Sequence, residues 1–367
     1  MLGNTIDFRR SLLGWYHTNR RDLPWRVAQK NPQPASPDPY HVLVSEAMLQ
    51  QTQVATVIPY FIRFMAAFPT LRDLADATEQ EILRLWQGLG YYSRARNLWG
   101  TAKILVEQNN GRIPTSVEEL LELPGIGRYT AGAIASLAFE TRAPVLDGNV
   151  IRVLSRLDLI RDDPKNPQVR ERLWQRAEEF LPKKRVGDFN SALMELGATI
   201  CTPRSPKCLL CPVQKHCAAL AAGVAEQIPS PPARKTRPIE RRLTLAISKE
   251  DVGQECPTYL IEQRPPRGRW ASMWQFVTIA AQDTPPTPKS LSQRVGLKLC
   301  DIRRIGALQH DLTHRRYQFE VLACRAKSAT SKLPQTRRWV GLDGLSDYPL
   351  PRPQLQVAQM VSSLIRP

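Results

Sequence analysis

The stretch from Leu120 to Asn149, LLELPGIGRYTAGAIASLAFETRAPVLDGN, constrains the fold more than any other part of the chain. The tail of one helix meets a tight Pro124-Gly125-Ile126-Gly127 turn, and a second helix starts at Arg128. Gly125 and Gly127 are expected to permit positive φ and a close backbone approach. The helix start presents unpaired N–H groups and the positive dipole end, a natural seat for a phosphate. Asp147, Gly148 and Asn149 then close an apolar run as polar residues. Taken alone, the pattern reads equally as a plain helix–turn–helix connector with Asp147 as an N-cap. Its meaning depends on Glu46 and on the cysteines after residue 200.

Lys and Arg number 51 against 34 Asp and Glu, a net charge of +17. That excess points to a polyanionic partner, nucleic acid ahead of a membrane surface. The N-terminus, MLGNTIDFRRSLLGWY, lacks the apolar core and cleavage site of a secretory signal. No apolar run reaches the ~18 residues that suggest a membrane span. A cytoplasmic, nucleoid-associated protein is expected, not a secreted one. Of seven cysteines, four crowd into Cys201–Cys217 while Cys256, Cys300 and Cys324 are scattered. An odd count without a secretion signal speaks against a disulfide framework, and the scattered three read as small buried hydrophobes.

Apolar spacing predicts helices over 6–20, 40–68, 78–87, 93–109, 116–122, 128–138, 149–158, 168–181 and 187–199. The segment 40–68 reads as one helical run containing Pro59. These make an all-α domain over 1–225, with a six-helix subdomain at about 30–145 and a second subdomain from 1–29 plus 146–225. Residues 226–240, rich in proline and basic side chains, read as an extended linker. Beyond them, RRLTLAIS, TYLIEQR, WQFVTIA, a long pair across 302–326 and RRWVGL read as strands, with helices at 288–298 and 353–365. The chain is thus multidomain, an α/β module over 241–367 following an all-α one.

Cys201, Cys208, Cys211 and Cys217 are spaced C-x6-C-x2-C-x5-C. Four thiolates so close can ligate one centre, either tetrahedral zinc or an iron–sulfur cube. Only one short C-x2-C pair is present, and the longer arms suit the larger cluster. Glu46 stands among Val42, Leu43, Val44, Ala47, Met48 and Leu49 in a helix that must be largely buried. A carboxyl group there keeps its proton to higher pH, as a general acid requires. Asp147, at a helix start beside Asn149, is expected to stay ionised. Two carboxyls held apart in pKa suit cleavage of a glycosidic bond, one as acid and one facing a cationic sugar.

The cysteine pattern, behind helices carrying L-P-G-x-G and a later Asp, resembles the endonuclease III superfamily of helix-hairpin-helix DNA glycosylases. The motif Ser45-Glu46-x-Met48-Leu49-Gln50-Gln51-Thr52-Gln53-Val54 is similar to adenine DNA glycosylases of the MutY type. So are LPW at 23–25, GLGYYSRARNL at 88–98 and VLDGNV at 145–150. The resemblance spans nearly all of residues 6–225. It implies two helical subdomains with a base pocket between them, and one [4Fe–4S] cluster on Cys201, Cys208, Cys211 and Cys217 that serves structure and DNA engagement. Glu46 would protonate adenine and later activate water, and Asp147 would stabilise the sugar cation. Tyr129 and Asn149 would position them. Trp25, Arg26 and Leu49 would shape the adenine pocket. Gln51 and Tyr91 would fill and wedge the opened duplex, with Gly125, Gly127 and Arg128 also on the DNA. Lyase-competent relatives carry a lysine where this chain has Tyr129, so base removal without strand cleavage is implied. The alternative is a bifunctional endonuclease III-like glycosylase/AP lyase acting on oxidised pyrimidines.

The C-terminal half resembles the MutT-like (Nudix-fold) domain with which these glycosylases inspect 8-oxoguanine. The segment RPPRGRWASMWQF at 264–276 and the tail YPLPRPQ carry the likeness. SLSQRVGLKL, where a Nudix hydrolase carries Mg²⁺-binding glutamates, has none, so recognition without hydrolysis is implied and the chemistry needs no Mg²⁺. His310-Asp311-Leu312-Thr313-His314 corresponds to the family's H-x-F-S-H signature, giving Thr313 and His314 the lesion contacts. Leu312 replaces the phenylalanine, and Arg315 stands where an aromatic is common. The loop 27–39 is longer than usual in the family. The implied partner of a monomeric protein is double-stranded DNA with adenine opposite 8-oxoguanine or guanine.

Overall fold

In the computed structural model, residues 5–26, 37–230, 236–249, 257–282, 284–327 and 333–364 are described. The long 27–39 loop, Cys256 and the middle of the 226–240 linker therefore lie largely or wholly outside the described residues. The first helices are α1 (Thr5–Asn19), α2 (Pro39–Leu49), α3 (Val54–Ala67), α4 (Leu71–Asp76), α5 (Glu79–Leu85) and α6 (Ser93–Gln108). They are followed by α7 (Val117–Leu121), α8 (Arg128–Phe139), α9 (Gly148–Leu157), α10 (Pro167–Glu179), α11 (Val186–Thr199) and α12 (Ala218–Ala221). Strands β1 (Ile239–Lys249), β2 (Thr258–Gln263), β3 (Trp274–Ala280), β4 (Leu299–Asp311), β5 (Arg316–Ala326) and β6 (Arg337–Val340) come after, with α13 (Pro288–Val295) and α14 (Arg352–Ser362).

The expected helical run over 40–68 is corrected by the structure, and the reason is tertiary. Pro59 lies inside α3, whereas the chain breaks at Gln50–Gln53, where Gln51 takes φ +58°. Buried Arg94 makes that break. Its Nη1 donates to the carbonyls of Ala47 (3.1 Å), Met48 (2.6 Å) and Gln50 (2.6 Å), and its Nη2 to Thr52 Oγ1 (3.1 Å). Carbonyls that a continuing helix would have bonded are thus satisfied from α6. The short α4, which buries Leu71, Leu74 and Ala75, was not among the expected helices.

Contact density divides the chain into two compact units. One holds the described residues up to 76 with those of 93–230, and the other holds 77–92 with the residues from 236 on. In the helical unit, α1, α9, α10 and α11 share a core built on Phe8, Leu12, Val153, Leu154, Leu173, Phe189, Leu193 and Leu196. Cys201, Cys211 and Cys217 pack against its edge. In the second unit the sheet order is β4-β5-β1-β3-β2-β6, with β1 parallel to β5 and the other neighbours antiparallel. Side chains alternate along β1. Leu243, Leu245 and Ile247 join Leu291 and Val295 of α13 on one face, and Ala246 joins Val357 and Val361 of α14 on the other. The segment 77–92, read from the sequence as part of the helical domain, is tied in by glutamines. Gln80 bonds Ser272 O and Trp274 Nε1, and Gln87 Oε1 accepts from Leu350 N. Among the described residues no helix is long and apolar enough to cross a membrane.

Gly132 of α8 faces the extended run that leads to Asp147, and a Cβ there would lie 2.3 Å from Pro144 O. Alanine normally favours a helix over glycine. Here Gly132→Ala should instead destabilise the protein by ~1–3 kcal/mol through overpacking, read as a lowered Tm.

Candidate active site and cysteine loop

The turn at 124–127 works through one glycine. Gly125 has φ +74°, and a Cβ on it would lie 2.4 Å from Asn97 Nδ2. Gly127 does not use the positive φ that glycine permits: it sits at φ −101° as the N-cap of α8. Arg128, the first residue of that helix, pairs with Glu171 at 2.8 Å and lies over the Trp174 ring at 4.3 Å.

One cleft of about 1280 Å³ in the helical unit is lined by Trp25, Arg26, Glu46, Leu49, Gln51, Gly125, Gly127, Tyr129, Asp147 and Asn149. The fold thereby brings together segments more than a hundred residues apart in sequence. Glu46 is 5 % exposed. Burial pushes its carboxyl up to about 7; a hydrogen bond from Tyr129 opposes this, the charge of Asp147 adds to it, and Arg26 opposes it again. The Tyr129 phenol also lies 3.5 Å from Met194 Sδ. Burial, then the charges of Glu46 and Asp147, raise its pKa well above the ordinary value, so it stays a neutral donor.

Asp147 is both N-cap and site residue. Its Oδ1 accepts from Val150 N at 2.7 Å, and its Oδ2 from Asn149 Nδ2 at 2.9 Å. Burial raises its pKa above the ordinary value, while the bonds from Val150 and Asn149 and the charge of Arg152 favour the ionised form. The difference from Glu46 lies in the polar contacts, since Asp147 receives two direct hydrogen bonds and a nearby guanidinium.

Arg152 links this carboxylate to the cysteine loop. It donates to Asn149 Oδ1 (2.9 Å), Gly197 O (2.7 Å) and Cys201 O (2.7 Å). One turn along α9, Arg156, 2 % exposed, donates to Cys201 Sγ (3.3 Å), Thr202 O (2.8 Å) and Ile228 O (2.8 Å). Cys201, Cys208, Cys211 and Cys217 are free thiols lining one small pocket with Arg156. Burial pushes the Cys211 thiol up to about 12 and raises those of Cys208 and Cys217. Ligation must therefore offset deprotonation, and the buried guanidinium lies where it would compensate thiolate charge. Among the described residues no three His, Cys, Asp or Glu side chains converge as ligands of a single ion. What the four cysteines share is a pocket, and the donor set fits a sulfur-ligated cluster.

A second buried acid escaped the sequence reading. Glu195, in α11, has a side chain 0 % exposed, paired with Arg21 (2.6 Å) and Arg26 (2.9 Å). Burial alone would raise its pKa, but the two guanidiniums outweigh it and hold it below the ordinary range. The signal was the one used for Glu46, an acid inside an apolar run (ALMELGA). Arg94, Arg152 and Arg156 had no comparable signal, since basic residues on helices usually face solvent.

In the second unit, Thr313 and His314 are exposed at the tip of the β4–β5 hairpin, which Leu312 N closes onto Arg315 O at 2.9 Å. Arg315 pairs with Glu240. Tyr91, at φ +48°, places its phenol 2.7 Å from Thr313 Oγ1. Cys324 is buried and Cys300 half-buried.

Residues 44–179 match the HhH-GPD superfamily of base excision DNA repair proteins, 201–217 the iron–sulfur binding domain of endonuclease III, and 248–360 the NUDIX domain. The helical unit and its cysteine loop are therefore those of a base-excision DNA repair protein carrying an iron–sulfur cluster. The adenine DNA glycosylase of Rattus norvegicus is 38 % identical over 92 % of this chain and 75 % of its own length. That of Homo sapiens is 37 % identical over 91 % and 70 %. A thermostable thymine-DNA glycosylase of known structure superposes with a TM-score of 0.52 at 31 % identity, over 59 % of this chain and 97 % of its own. The chain belongs to the adenine DNA glycosylase family.

Two predictions follow from the buried groups. Glu46 has a folded-state pKa above its ordinary 4.5. The folded protein thus keeps a proton that the unfolded chain releases, and stability falls as pH rises from about 4.5 to about 7. Glu46→Gln lacks this penalty. It should be more stable than the parent at pH 8, by roughly 1–3 kcal/mol, with the advantage shrinking towards pH 4.5, as thermal melts at both pH values will read. Cys208→Ser should weaken the visible absorption of the purified protein and lower its folded yield; an unchanged spectrum would contradict its place as a ligand.

Proposed function

We propose that this adenine DNA glycosylase is monofunctional, acting on adenine opposite 8-oxoguanine and opposite guanine, with Glu46 and Asp147 as its working carboxyls. The observation that carries the reading is Glu46, a buried acid poised at about 7 in the cleft that also holds Asp147. Protonated near neutral pH, Glu46 can deliver its proton to adenine N7 as the glycosidic bond lengthens. The departing base leaves positive charge at C1′, which the Asp147 carboxylate stabilises electrostatically or by a transient bond. Asn149 and Val150 N hold that carboxylate, and Tyr129 holds Glu46. The deprotonated Glu46 then activates water to complete hydrolysis. Tyr129 supplies a phenol and no amine, which supports base removal without a Schiff base and so without strand cleavage. Trp25, Arg26 and Leu49 form the base pocket, and Gln51, at its strained turn, fills the space left by the extruded nucleotide.

Cys201, Cys208, Cys211 and Cys217 would hold a [4Fe–4S] cluster, which supplies structure and a charged DNA-facing loop and takes no part in bond cleavage. Thr313 and His314 are the lesion-facing groups of the second unit, and Tyr91, whose phenol lies 2.7 Å from Thr313 Oγ1, wedges the opened duplex beside them. α13 offers no carboxylates for Mg²⁺, in keeping with recognition without hydrolysis. Chromosomal DNA inside the cell is the substrate this reading requires.

Single-turnover assays on duplexes carrying adenine opposite 8-oxoguanine, guanine or thymine, analysed with and without alkali, test the reading. Adenine should leave the first two, with strand breaks only after alkali; breaks without alkali would refute monofunctional action. Glu46→Gln should still bind the duplex but lose ~100-fold or more in excision. His314→Ala should reduce the preference for 8-oxoguanine over guanine, and equal losses on both mispairs would refute its lesion-reading role.

A further inference from the structure

Arg26 lies on a turn, with its N–H bonded to Leu23 O at 2.8 Å, so no helix fixes where its guanidinium points. Side-chain contacts do. Its Nη2 donates to Glu195 Oε2 at 2.9 Å and its Nη1 to Arg21 O at 3.0 Å. Glu195 also receives Arg21 N (3.2 Å), Arg21 Nε (2.6 Å) and Arg21 Nη2 (3.2 Å). Four donors on one fully buried carboxylate leave it little capacity to bond a substrate, although it lines the same cleft as Glu46. Without that negative charge, two neighbouring guanidiniums would repel and reorient.

We propose that Glu195 is a positioning residue for adenine excision, acting through Arg26, whose guanidinium it holds as a fixed donor fork in the base pocket. The inference rests on the reading of this cleft as the adenine pocket. A guanidinium has five donors, and those not used by Glu195 and Arg21 O remain for a base whose ring nitrogens accept hydrogen bonds. Since misplacing a positioning group by about 1 Å can cost up to ~100-fold in rate, a loosened fork should slow excision even though Glu195 does not touch the base.

The test is a double-mutant cycle on the full-length, cluster-loaded protein, using single-turnover excision of adenine opposite 8-oxoguanine. Glu195→Gln and Arg26→Met should each slow excision by ~10- to 100-fold. The double variant should be no slower than the slower single one, because both remove the same fork. Arg21→Met, which leaves the Glu195–Arg26 pair in place, should slow excision less than Glu195→Gln does. Losses that multiply in the double variant would overturn the proposal, since Glu195 would then act independently of Arg26. If Glu195→Gln fails to fold, Glu195→Asp replaces it in the same cycle; it keeps the charge but is too short to span both guanidiniums. An inactive parent protein would overturn the adenine-pocket reading and this proposal with it, whereas an active parent with multiplying losses overturns this proposal alone.

Discussion

A carboxyl group buried on a helix can remain there as an ion only if other charges and donors replace water, and otherwise it holds its proton. Glu46 is in the second situation, and much of the helical unit is arranged around it. Helix α2 is buried along most of its length. Its last turn is not left to fray, because Arg94 takes three carbonyls from its end and the turn after it. The contrast with Glu195 is instructive. That acid is buried as deeply, yet two arginines keep it charged. The same residue type within one cleft is therefore pushed towards its neutral form in one place and held as an anion in another.

Helix α9 joins the cleft to the cysteine loop. Its N-cap is Asp147, and Arg152 and Arg156 stand four residues apart along it. Both reach the cysteine loop, Arg152 through the Cys201 carbonyl and Arg156 through its sulfur. Arg152 also grips Asn149, which in turn holds Asp147. A chain of hydrogen bonds thus ties the cysteine loop to the Asp147 carboxylate.

How much of this could be read beforehand depended on whether a feature was local. Glu46, Asp147 and the four cysteines stand out because residue type and spacing conflict with their surroundings, and the helices and strands follow apolar periodicity. The break after Leu49 could not be seen, since LQQTQ contains neither glycine nor proline and the interruption comes from Arg94, far along the chain. Both glycines of the 124–127 turn were read as permitting positive φ, and the structure uses that freedom at Gly125 alone of the two. The capping bonds of Asp147 were visible in the sequence, but the burial that works against its charge was not.

Residues 77–92 belong by contact to the C-terminal unit although helical-unit sequence flanks them on both sides. The polypeptide therefore crosses between the two units three times, near residues 76, 92 and 234, and not once as a simple two-domain chain would. Shortening the protein after the helical unit would remove more than the NUDIX domain. It would strip the partners from Gln80, Gln87 and Tyr91 and leave an excursion of the remaining chain without its packing. Along the chain, the second unit is discontinuous, with one of its pieces lying between the two segments that form the first.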